Sequence, residues 1–247
     1  LMNSIAPLIL LGLVAFSSSC AHRGAVIPAP TRDPKQTLFE ICSVGSDIIE
    51  AGGTLQMKAK SKESSGQFPA TVRAVLEPRE LDLEITNPLG GTEARIRVRG
   101  ANYQIEAGSG AKARKQAGSQ SWAGIPLDWA VDLFIGRIPC PAAANSAVSL
   151  DADGRLRVEV PGDLSGQMQV FLYTVETPDG SRPAWPTTLE WSRTGSLPAA
   201  VRFEFSGPEE GSRSPTRWEA ISDRGEVKAK WRNREVRTRP APEKKQG

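Results

Sequence analysis

Leu81–Arg99 reads LDLEITNPLGGTEARIRVR. Leu81, Leu83 and Ile85 alternate with Asp82 and Glu84, and Ala94, Ile96 and Val98 alternate with Arg95, Arg97 and Arg99. A period of two puts the apolar residues on one face of a strand, which points to antiparallel strands with one wet face. Between the runs, Pro88 presets a turn and Gly90-Gly91 permits positive φ, so the stretch reads as a hairpin with Leu89 near its tip. Two positions fit Leu89: exposed at the tip, or folded back as a plug. The same alternation recurs in Leu156/Val158/Val160, Met168/Val170/Leu172, Val201/Phe203/Phe205 and Val227/Ala229/Trp231. Asp151-Ala152-Asp153-Gly154 and Pro178-Asp179-Gly180 carry turn chemistry.

Two segments break this rhythm. Asp33-Pro34 caps and starts a helix. From there Leu38, Ile41, Cys42, Gly45, Ile48 and Ile49 recur at helical spacing, which predicts a helix running to Gly52-Gly53. Leu127, Ala130, Val131, Phe134 and Ile135 predict a second helix, stopped by Gly136, with Asp128 and Asp132 on its solvent face. Ala107–Ser121 reads as a polar, Gly-rich loop. A one-faced sheet with two helices must curl or be covered to bury its apolar side. A curled sheet under a thin helical cover leaves an apolar interior for a lipid chain; a solid core fits the same pattern.

Composition narrows the chemistry. The 247 residues hold 39% hydrophobic and 24% charged side chains, enough to bury a core. One histidine and three cysteines offer no zinc constellation, no cofactor motif and no paired nucleophile and base, so the expectation is a non-enzyme without metal or cofactor. A net charge of +3 does not indicate nucleic acid. Leu8–Phe16 (LILLGLVAF) is a short apolar run followed by Ser17-Ser18-Ser19-Cys20. It reads as an export signal over residues 1–19, with Cys20 resembling a bacterial lipidation site. Residues 20–33 then form a tether, which carries the lone His22.

Three blocks carry a family resemblance: LEITNPLGGTE (Leu83–Glu93), GIPLDWAVDLFIGRIP (Gly124–Pro139) and RPAWPTTLEW (Arg182–Trp191). In order and spacing, and with the signal-plus-cysteine start, the chain resembles the LolB family of outer-membrane lipoproteins from Pro34 to Phe205. The resemblance implies an open antiparallel half-barrel with a small helical lid over a hydrophobic cavity. It implies a palmitate-type lipid anchor at Cys20, a place on the outer membrane facing the periplasm, and a monomer. It also implies a function: taking lipoproteins from a periplasmic LolA-type carrier and inserting them among outer-membrane phospholipids. The alternative is an envelope lipoprotein that keeps the fold without the transfer role. By the resemblance Asn87-Pro88-Leu89-Gly90 is the membrane-insertion loop. Leu81, Leu83, Ile85, Ile96 and Val98 on the sheet, with Trp129 and Leu133 on the second helix, are the candidates for lining the acyl cavity.

The resemblance places the half-barrel in residues 34–206 and leaves 207–247 as an extension with an extra hairpin and a basic tail. Arg224–Lys245 carries nine Lys and Arg against three Glu. As a strand edge it either touches anionic lipid near Trp231 or is simply solvated. In an oxidising compartment Cys42 and Cys140 either form a disulfide or stay as buried thiols.

Overall fold

The computed structural model describes residues 33–60, 65–87, 89–108, 114–119, 121–122, 125–141, 146–162, 167–176, 183–195 and 199–240. Two helices, α1 (Pro34–Cys42) and α2 (Leu127–Ile135), accompany fifteen strands among these residues. Those before α2 are β1 (Ile48–Lys60), β2 (Ser65–Val75), β3 (Glu80–Thr86), β4 (Thr92–Arg99), β5 (Asn102–Ala107), β6 (Arg114–Ser119), β7 (Ser121–Trp122) and β8 (Ile125–Pro126). After it come β9 (Ala147–Leu150), β10 (Leu156–Pro161), β11 (Met168–Glu176), β12 (Trp185–Arg193), β13 (Ala199–Pro208), β14 (Pro215–Ser222) and β15 (Gly225–Thr238).

Thirteen strands form one antiparallel sheet in the order β6-β5-β4-β3-β2-β1-β15-β14-β13-β12-β11-β10-β9, and β7 pairs with β8 apart from it. The two ends of that order do not pair, so the sheet is an open half-barrel. Its alternation is the one legible in the sequence. Leu81 and Leu83 pair with Val98 and Ile96 across β3 and β4, and all four are buried. Phe203 and Leu189 do the same across β13 and β12.

The concave side is filled by α2. Leu127, Trp129, Ala130, Val131, Leu133, Phe134 and Ile135 are all buried, as expected of a helix apolar nearly all round. Trp129 sits against Phe171, Trp191 and Phe203 at ring-centroid distances of 5.5, 4.9 and 6.1 Å, and Phe134 meets Trp218 edge-on at 5.2 Å. Ion pairs fix the helix. Arg79, from the β2–β3 turn, reaches Asp132 at 2.9 Å and Asp128 at 3.3 Å. At the other end Arg234 of β15, its side chain only 4% exposed, pairs with Glu209 at 2.9 Å and donates to the carbonyl of Ile135. Cys42 and Cys140 are joined by a disulfide that ties the end of α1 to the segment after α2.

The structure differs from the sequence expectation in four places. The first helix stops at Cys42, ten residues short of Gly52, because the chain turns at Gly45 with φ +63°. A Cβ there would come within 2.6 Å of the Gly136 carbonyl oxygen. Ile48 and Ile49, β-branched, go to β1 instead. The polar segment Ala107–Ser121 contributes β6, an edge strand whose side chains are nearly all exposed, so no alternation betrays it. Asp132 does not face solvent but lies partly buried against Arg79.

The fourth difference is the largest. The hairpin read as an extension beyond Ser206 is the middle of the sheet, for β15 pairs with β1 over nearly its whole length and β14 joins it to β13. There is no boundary at residue 206, and the basic run over Gly225–Thr238 is a central strand, not an edge. Two of its charges meet acids of neighbouring strands: Lys228 with Glu219 at 2.8 Å, Arg237 with Glu50 at 2.6 Å. Trp231 is buried beneath Arg234, 5.4 Å from guanidinium carbon to ring centroid, and so is not a lipid contact.

Candidate functional site

Antiparallel pairing places the ends of the strands in two groups. The β1–β2, β3–β4 and β14–β15 connections lie at one end of the sheet. The disulfide and the C-terminal half of α1 lie toward the other, where Arg239 donates its N–H to the Asp47 carbonyl at 2.7 Å.

At the first end the β3–β4 hairpin carries Leu89 with 96% of its surface exposed, against 2% for Leu83 on the same hairpin. The tip is built by Asn87. Its side-chain oxygen accepts from the N–H groups of Leu89 and Gly91 at 3.0 and 2.9 Å, and its amide donates to Glu93 at 3.0 Å. The Asn87 N–H donates to the Gly91 carbonyl at 2.8 Å, and Gly90 supplies φ +85°. This is the asparagine turn in which a short amide side chain replaces backbone partners. At the base of the hairpin the hydroxyl of Thr92 donates to Glu84 at 2.5 Å, and Arg95 adds a second partner at 3.1 Å. The Thr92 hydrogen bond, aided by Arg95, holds the Glu84 carboxyl below the ordinary carboxylate range. The hairpin is therefore braced while its leucine touches nothing. Pro88 lies outside the described residues.

At the same end the concave side opens into a cavity of about 280 Å³. Ala59 and Phe68 of β1 and β2, Val201 and Ala220 of β13 and β14, Val227 of β15 and Ile125 of β8 form its apolar wall. None of the residues expected to line an acyl cavity lines this one. Leu81, Leu83, Ile96, Val98, Trp129 and Leu133 are packed in the core, and Ile85 is partly buried against it. The reason is α2, which packs against β1, β2 and β3, while Ile125 just before its N-terminus lines the cavity. The β1 wall of this cavity did have a sequence signal. Leu55-Gln56-Met57-Lys58-Ala59-Lys60 alternates as plainly as Leu81–Ile85 does.

Cys20 and His22 lie outside the described residues. Among the described residues no group of acids, cysteines or histidines is arranged to hold a metal.

No protein-family model and no curated protein matches the sequence. Solved structures do match. A LolA superfamily protein from Nitrosomonas europaea is 11% identical with a TM-score of 0.48, over 84% of this chain and 94% of that one. A putative outer membrane lipoprotein-sorting protein domain from Vibrio parahaemolyticus is 12% identical with a TM-score of 0.46, over 83% and 94%. A DUF1329 family protein from Desulfovibrio piger is 9% identical with a TM-score of 0.50, over 82% and 91%. The last of these is a likeness of fold across most of both chains, and what it establishes for this chain is that fold.

Proposed function

We propose that this chain is a lipid-anchored protein of the outer membrane that accepts lipoproteins from a periplasmic LolA-type carrier and delivers them to membrane phospholipid. The role is non-enzymatic. The observation that carries it is the fully exposed Leu89 on a braced hairpin, at the same end of the sheet as an apolar cavity. A molecule so arranged meets a lipid surface with its cavity mouth and its leucine together. Moving one leucine from water into acyl chains gains on the order of 1.5–3 kcal/mol, about one to two powers of ten in partition. That suits transient docking, while the anchor expected at Cys20 supplies residence.

The size of the cavity favours a second reading. At about 280 Å³ it is far smaller than a multiply acylated cargo, which supports an envelope protein that binds a single lipid chain without handing on a lipoprotein. The test separates the two. A labelled lipoprotein held by its carrier is mixed with the protein, and the complex is then mixed with liposomes. Movement of label onto the protein and on to the liposomes supports the transfer role; label that stays on the carrier, with free lipid still bound, supports the second reading.

A further inference from the structure

The cavity at the end of the half-barrel has a rim of different chemistry from its wall. Its charged lining residues are Lys60 at the end of β1, Arg224 in the β14–β15 turn and Glu226 at the start of β15. Glu226 is already engaged, 3.0 Å from the ammonium of Lys228, which Glu219 also holds. Lys60, which stands opposite Glu226 across β1 and β15, and Arg224 form no ion pair among the described residues, so the described lining carries two positive charges against one negative. Ser65 and Ser222 also line the cavity, and the N–H of Arg224 donates to the Ser222 hydroxyl at 3.2 Å, which braces the turn that carries Arg224. Beneath the rim the wall is Ala59, Phe68, Ile125, Val201, Ala220 and Val227, without a charge.

Volume limits the occupant. At about 280 Å³ the cavity has room for one stretch of acyl chain. An arginine and a lysine in the lining of an apolar slot match a carboxylate or phosphate borne on that single chain. We infer that the cavity selects an anionic single-chain amphiphile, its tail against Phe68, Ile125 and Val227 and its head between Lys60 and Arg224. The inference rests on the acyl-binding reading above and specifies its ligand.

Four ligands with one tail and different heads test it: dodecanoate, dodecyl phosphate, dodecanol and dodecyltrimethylammonium. They are titrated by calorimetry, below their micellar concentrations, into the full chain carrying Cys20→Ala so that no detergent is required. The anionic ligands should bind about tenfold or more tighter than the cationic one, as expected of charge-assisted pairing. Lys60→Gln with Arg224→Gln should bring the four within about threefold of one another while leaving dodecanol unchanged. Ala59→Trp, at an exposed position on the wall, should weaken all four. Whichever anion binds better identifies the head. Equal binding of all four heads to the unaltered chain overturns the anionic selection and leaves the acyl cavity standing. Binding untouched by Ala59→Trp places the ligand elsewhere, and no binding of any tail overturns the acyl cavity as well.

Discussion

Leu89 is worth nothing to the fold and, on the proposed reading, a great deal to delivery. A side chain 96% exposed has no packing to lose, so Leu89→Glu should shift stability by no more than about 0.5 kcal/mol. Its charge would instead have to enter the lipid interface, and transfer from the protein to liposomes should slow about tenfold or more while loading from the carrier persists. Delivery at the wild-type rate would remove the leucine from the mechanism. Asn87 gives the complementary prediction. Its side chain holds the N–H groups of Leu89 and Gly91, so Asn87→Ala should speed hydrogen exchange at those two amides and leave the core amides as they were.

At the scale of elements, α2 is held by Arg79 and the buried Arg234, with the disulfide tying down the segment that follows it, so it serves as a plug. Replacing Cys42 and Cys140 by serine removes a cross-link between positions 98 apart in sequence and should cost about 2–5 kcal/mol in urea unfolding. An unchanged midpoint would mean that the arginines alone suffice. Asp132 adds a pH dependence. Burial raises its carboxyl above the ordinary range, against the lowering pull of Arg79. The folded chain therefore keeps this proton to a higher pH than the unfolded chain, whose aspartates titrate near pH 3.9. By linkage its contribution favours the fold in acid and is lost as the pH rises through the folded value. Asp132→Asn does not titrate, so the variant's stability relative to wild type should climb as the pH goes from 4 toward 7. A difference that stays constant over that range would show that Asp132 does not titrate there.

Across the whole molecule the decisive feature is that β1 and β15, far apart in sequence, pair in the centre of the sheet. Removing everything after Ser206 would open β1 and β13 together and strip Trp218, Ala220, Ala229 and Trp231 from the core. Such a chain should lack a cooperative thermal transition, although it retains all three blocks that resemble the LolB family. A sharp melt of the truncated chain would restore the boundary at residue 206. The open edges at β6 and β9 keep the sheet from closing, and the concavity they leave is what α2 fills and the cavity opens from.

Local pattern settled a good deal without coordinates. Period-two alternation depends only on which side of a strand meets water, so Leu81–Ile85 and Ala94–Val98 announce their strands, their inner face and the hairpin between them. The Asn87–Gly91 turn is legible for the same reason, since its chemistry lies within five residues. Three things depended on partners distant in sequence. Ile48 and Ile49 carry both helical and strand spacing, and pairing with Thr238 and its neighbours made them a strand. Leu83, Trp129 and Ala59 all read as apolar face positions, and the packing of α2 determines which of them is core and which lines open space. The basic C-terminal run looked like a free edge because the sequence does not say which strands are neighbours. Tertiary structure put β15 against β1, since two of the longest strands each leave a ladder of backbone groups that burial requires to be paired.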